Sequence, residues 1–131
     1  MRVVLDTNVL LAAFAARGLC EAVLEVCLED HEIVLSEHIL KELRRHLEHK
    51  LKLPASRAAE IVSLLQETGT LVKPARVPAT ACRDRGDLAI LGTALAGGAN
   101  CLVTGDKDLL ALGEFESVPI LSPRKFYDGL R

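Results

Sequence analysis

Short unbroken apolar runs alternate along the chain with longer stretches whose apolar residues recur at helical spacing. "RVVL" at 2–5, "EIVL" at 32–35 and "CLVT" at 101–104 are too short for helices and lack polar alternation, so they predict strands buried on both faces. "TLVK" at 70–73 and "VPIL" at 118–121 read as weaker strands. Between them, residues 18–29 carry Leu19, Val23, Val26 and Cys27 on one stripe, and residues 36–51 carry Ile39, Leu40, Leu43, Leu47 and Leu51. Residues 55–67, 88–96 and 123–130, a helix starting near Val9 and a short one in "KDLLAL" complete the set. Strands separated by helices imply right-handed crossovers and a parallel sheet covered on both faces. The expected fold is therefore α/β: a three-layer α/β/α arrangement with a central parallel sheet of four to five strands, in a single domain over residues 1–131. The longest irregular stretch is "KPARVPATACRDRG" at 73–86, and a loop of that length in a small domain is often functional.

Composition narrows the function classes. The 131 residues, half of them apolar and a quarter charged, suffice for one well-formed core. No apolar run approaches the roughly 20 residues of a membrane span, and the start "MRVVLDTN" lacks the apolar stretch of a signal peptide, so a cytoplasmic chain with no membrane partner is expected. A net charge of −2 argues against a generic nucleic-acid binder, yet Lys41, Arg44, Arg45, Lys50, Lys52 and Arg57 gather in one segment. Cys20, Cys27, Cys82 and Cys101 are scattered without a C-x-x-C pair, which indicates neither zinc nor disulfides. His31, His38, His46 and His49 read as solvated helix residues, although His46 and His49 are one helical turn apart.

The acids change this picture. In a parallel α/β sheet the residues just after the strands meet at one edge, where ligands bind. Asp6 follows the first strand, and Asp106 and Asp108 follow the strand ending at Thr104. Asp87 precedes a helix whose inward stripe is Ile90, Leu91 and Ala94, so it heads the stripe that packs on the sheet. Glu42 lies three residues after Ile39, at the margin of an apolar helix face. Taken singly, Asp6 or Asn8, Asp84 or Asp87, and Asp106 each read equally well as helix caps, and Glu42 as a solvated acid. Taken together, four acids from four segments converge on one rim, where like charges require a cation between them. Oxygen-only ligation calls for a hard ion, Mg²⁺ or Mn²⁺.

"VVLDTNVLLAAF", "LSEHILKELRRHL", "DLAILGTALAGGANCLVTGDKDLL" and "ILSPRKFYDGL" together resemble a PIN domain, in particular the bacterial and archaeal PIN toxins of toxin–antitoxin pairs, from Val3 to about Leu130. The resemblance implies parallel strands between helices and a metal-dependent ribonuclease site, with one or two ions held by Asp6, Glu42, Asp87 and Asp106. Asp108 matches a frequent fifth acid, and Asn8 and Thr104 match supporting polar positions. It also implies an RNA substrate cut to a 5′-phosphate and a 3′-hydroxyl, a small antitoxin partner, and a homodimer or higher oligomer. One segment departs: where such relatives often read R-D-P-D-D, this chain has "RDRGD", with Arg85 and Gly86 replacing a Pro and an Asp.

The chemistry expected of such a site is hydrolysis without a covalent nucleophile. Arg44, Arg45, Lys50, Arg83, Arg85 and Lys107 are candidates to guide the RNA backbone, and one Tyr and three Phe leave little for base stacking. Two other classes stand beside the nuclease: a PIN-fold interaction module weakened in catalysis, and an aspartyl-phosphate protein. A phosphatase of the latter kind needs D-x-D, where this chain has Asn8 in third place; a receiver needs a paired N-terminal acid, which is missing.

Overall fold

In the computed structural model, which describes residues 1–130, the chain forms strands β1 (Arg2–Leu5), β2 (Glu32–Leu35), β3 (Thr70–Leu71), β4 (Cys101–Val103), β5 (Glu114–Phe115) and β6 (Val118–Leu121). Helices α1 (Thr7–Ala15), α2 (Leu19–Asp30), α3 (Glu37–His49), α4 (Ala55–Thr68), α5 (Arg85–Ala96), α6 (Lys107–Leu112) and α7 (Pro123–Asp128) connect them. The sheet order is β3-β2-β1-β4-β6-β5, parallel throughout except for the antiparallel β5–β6 pair. The parallel α/β sheet expected from the sequence is thus present. It has six strands rather than four to five, because Glu114 and Phe115 form a two-residue hairpin arm too short to leave a periodic signal.

The central strands are apolar on both faces: Val3, Val4, Leu5, Ile33, Val34, Leu35, Cys101, Leu102 and Val103 are all buried. Their core is closed by Ile39, Leu40, Leu43 and Leu47 from α3, Val23, Leu24 and Cys27 from α2, and Ile90, Leu91 and Ala94 from α5. All four cysteines are free, and among the described residues no helix is long and apolar enough to cross a membrane.

Helix starts fix the functional edge. Ser36 caps α3 by accepting from the Ile39 amide, and the buried Thr93 hydroxyl of α5 reaches the Ser36 hydroxyl at 2.9 Å, tying the two helices together. The sequence places the start of the last large helix at residue 88, but α5 begins at Arg85. The cause is Asp84, whose carboxylate accepts from the Gly86 amide at 2.6 Å and draws Arg85 and Gly86 into the first turn. Asp87 therefore lies inside the helix rather than before it.

The loop of residues 72–84 crosses α5 so closely that a side chain at Gly92 has no room: a Cβ there would lie 2.3 Å from the Ala75 carbonyl oxygen. The same closeness lets the Ala75 amide donate to the Gly92 carbonyl at 2.9 Å. Gly92→Ala must push backbone away from backbone, and the expected loss is about 1–3 kcal/mol of unfolding free energy, read from urea denaturation midpoints.

Candidate metal centre at the carboxyl rim of the sheet

β1 lies between β2 and β4, so the chain leaves the sheet in opposite directions from neighbouring strands, which opens a crevice at their carboxyl ends. Leu5 pairs with Val103, and the next residues, Asp6 and Thr104, are consequently side by side. The Thr104 hydroxyl donates to Asp6 Oδ2 at 2.6 Å and accepts from the Asp106 amide at 3.0 Å. Asp106 Oδ1 in turn accepts from the Asp108 and Leu109 amides at the start of α6. Capping and site-building thus coincide at Asp106, while Asp6, at the head of α1, makes no side-chain cap bond.

Asp6, Asn8, Glu42, Asp87 and Asp106 line one cavity of about 420 Å³, together with Arg45, Asp84, Gly86, Ile90, His38 and His46. All four acids expected at the rim meet there. Asp87 is 9% exposed, and its Oδ2 is buried with no hydrogen-bond partner. Burial first, then the charges of Asp106, Asp84, Asp6 and Asp108, push its carboxyl up to about 7. Burial likewise raises Asp6, against hydrogen bonds from Thr104 and the Thr7 backbone.

Other expected residues lie elsewhere. Asp108 is exposed, 3.5 Å from Arg83, and lines a separate hollow with Cys82 and Leu112. Of the six cations, only Arg45 lines the acid cavity. Arg44 is turned to Glu48 at 3.6 Å, and Lys50, Arg85 and Lys107 are exposed. Three residues expected only as a helix cap, Asp84, or as solvated, His38 and His46, line it as well. The histidines had a legible signal, because positions 38, 42 and 46 are spaced four apart and share a helix face with Glu42. Burial and the Lys50 charge depress His46, which Glu42 partly offsets. A hollow of about 450 Å³ between α2 and α7, lined by Val26, Asp30, His31, Tyr127 and Leu130, contains a single carboxylate.

A mostly parallel α/β domain with carboxylates converging at its switch point is the class of protein that this geometry defines. Residues 2–108 match the PIN domain family, and the chain belongs to it. In fold it is similar to VapBC2 from Rickettsia felis, solved bound to a DNA fragment from its promoter (TM-score 0.65, 15% identity, covering 93% of this chain and 98% of that one). It is also similar to VapBC-1 from nontypeable Haemophilus influenzae (TM-score 0.66, 17% identity, covering 95% and 99%). No curated protein matches it at a significant level.

A carboxylate with one unpartnered buried oxygen, lining a cavity with four further carboxylates, fits the divalent ion that the family implies. As the side chains stand, no three His, Cys, Asp or Glu among the described residues close on a common point. The raised carboxyl of Asp87 sets the sign of the pH dependence without metal. Between 3.8, where an unfolded Asp titrates, and about 7, the folded chain holds a proton that the unfolded chain has lost. The stability linked to Asp87 is therefore full below that window and lost as pH rises through about 7. Thermal melts in EDTA from pH 5 to 8 should show this decline, and Asp87→Asn should flatten it and raise stability at pH 8 by about 1–2 kcal/mol.

Proposed function

We propose that this PIN domain is a metal-dependent endoribonuclease and the toxin of a toxin–antitoxin pair. The observation that carries the reading is Asp87, a nearly buried carboxylate with one oxygen unbonded, opening onto a cavity shared with Asp6, Glu42 and Asp106. Capping does not account for it, since Asp84 already caps α5. Core packing does not account for it either, since a buried unpaired carboxylate is costly. The oxygen donors suit Mg²⁺ or Mn²⁺, and Asp6, Glu42, Asp87 and Asp106 would hold one or two ions. When bound, such an ion polarises a phosphodiester and lowers the pKa of water towards neutrality.

The chain's own residues prepare the site. Thr104 fixes the orientation of Asp6 from the neighbouring strand, and the α6 amides fix Asp106, so both carboxylates are held before any ligand arrives. Asn8 contributes a neutral polar group to the same wall. Arg45 presents a planar fork of donors suited to a phosphate oxygen. Arg44, Lys50, Arg83, Arg85 and Lys107 lie outside the cavity and are positioned to meet only more distant backbone, so recognition rests on phosphates and shape. The partners that this reading implies are a small antitoxin covering the acidic cavity and a second copy of the chain. The likeness in fold to two VapBC structures supports the first.

The "RDRGD" departure, with Arg85 and Gly86 in place of a Pro and an Asp, supports a second reading, a PIN-fold interaction module weakened in catalysis. One assay separates the two. Incubated with a mixed RNA pool, the purified chain should cleave with Mg²⁺ or Mn²⁺, stop in EDTA, and lose at least about 100-fold in rate on Glu42→Gln. Undiminished cleavage in EDTA overturns the metal assignment. Mn²⁺ binding without cleavage under any condition identifies the non-cutting module.

A further inference from the structure

Two side chains of the cavity stand outside the acid set. His38 and His46 lie four residues before and four after Glu42 on α3, so the three share a face and line the same space. Each histidine has one ring nitrogen that is buried without a hydrogen-bond partner, Nε2 of His38 and Nδ1 of His46. A solvated histidine would satisfy both nitrogens with water.

His38 is the more constrained. Its Nε2 lies 3.2 Å from Glu42 Oε2, yet the two are not aligned as a hydrogen bond. Across from them Gly86 offers no side chain: a Cβ there would lie 3.7 Å from that nitrogen and 3.8 Å from that oxygen. Between α3 and the first turn of α5 the missing side chain thus leaves a small gap bordered by an imidazole nitrogen, a carboxylate oxygen and, at 3.1 Å from the same Cβ position, Asp84 Oδ1. A bound anion would be repelled by Glu42, Asp84 and Asp87, against the single positive charge of Arg45 in the same cavity. A cation is attracted by all three and also completes the unused nitrogen.

We propose that His38 and Glu42 form a nitrogen–oxygen pair that ligates a first-row transition ion, so that the centre selects Mn²⁺ or a later ion of the series over Mg²⁺. Donors at i and i+4 on one helix face can reach a single ion, as in helical His-x-x-x-His sites. Imidazole suits transition ions, whereas Mg²⁺ keeps oxygen ligands and its own water. The assignment rests on the metal-centre reading above and narrows it. His46, one turn further along and without a carboxylate at comparable distance among the ion pairs, serves as the internal comparison.

The test reads the ligand directly. The full chain is loaded with Mn²⁺ and its electron spin echo is examined for ¹⁴N modulation from a bound imidazole, with Mn²⁺ and Mg²⁺ affinities measured by calorimetry. Circular dichroism and melts establish that each variant is folded. The expected result is modulation in the wild-type chain and in His46→Gln but not in His38→Gln. His38→Gln should also lose about 10-fold or more in Mn²⁺ affinity, with that for Mg²⁺ unchanged. Bound Mn²⁺ without nitrogen modulation overturns the proposal and leaves the carboxylate centre standing, as does modulation that survives in His38→Gln. Equal losses for both ions reduce His38 to a packing role. Weaker RNA binding in EDTA with unchanged metal affinity assigns His38 to phosphate instead, which also overturns it. A chain that binds neither ion removes the metal centre itself.

Discussion

The register of β1 against β4 is the constraint on which the rest of the site depends. Leu5 opposite Val103 sets Asp6 beside Thr104, and the hydroxyl that satisfies the Asp6 carboxylate also receives the Asp106 amide. One threonine thereby couples two acids a hundred residues apart. A parallel register is held by buried side chains on both faces, and a slip by one residue would turn every one of them over. The apolar runs of β1 and β4 thus do more than fill the core; they hold the carboxylates in register.

The other two acids are delivered by helices whose placement depends on close backbone approach. α5 is pressed against β2 at Gly97, where a Cβ would lie 2.3 Å from Val34 Cγ1, and against the crossing loop at Gly92. The Thr93–Ser36 contact then links α5 to the cap of α3. Asp87 and Glu42 are brought to the cavity by the same contacts that pack the sheet, so the rigidity of the fold is spent on holding like charges together. Burial opposes the charge on Asp87 and Asp6, and neighbouring acids reinforce it, which leaves the metal-free site electrostatically unfavourable. Such an arrangement is characteristic of a site that trades stability for binding.

What was legible in the sequence follows from the range of each signal. Runs of apolar residues and helical stripes are local, and β1, β2, β4, β6, α3 and α5 follow from them with ends moved by a few residues. The four rim acids were legible because strand ends and helix stripes place them without knowledge of contacts. The sequence left Asp84 and Asp87 as equal candidates to cap α5; the bond from the Gly86 amide selects Asp84, which starts the helix a turn earlier and puts Asp87 inside it. Asp108 was expected as a fifth acid beside Asp106, but the spacing of two at the start of α6 sends them to different sides, one to the cavity and one to Arg83. The basic segment behaved similarly: Arg44 and Arg45 are adjacent in sequence, and a 100° step on the helix separates the cation that reaches the cavity from the one that does not.

That last separation shapes how a polyanion would approach on the proposed reading. The cavity holds five carboxylates, Asp6, Glu42, Asp84, Asp87 and Asp106, against one arginine. Without a metal cation its field repels phosphate, and charges outside it are screened over a Debye length of about 8 Å at physiological salt. Loading with one or two divalent ions cancels half or all of that net negative charge, so metal and RNA should bind with positive coupling, each raising the affinity for the other by the same factor. Arg45 then has a role that neither the metal nor the outer cations can fill. It is the single fixed positive charge within the cavity, placed to engage a phosphate beside the acids while the acids themselves are occupied.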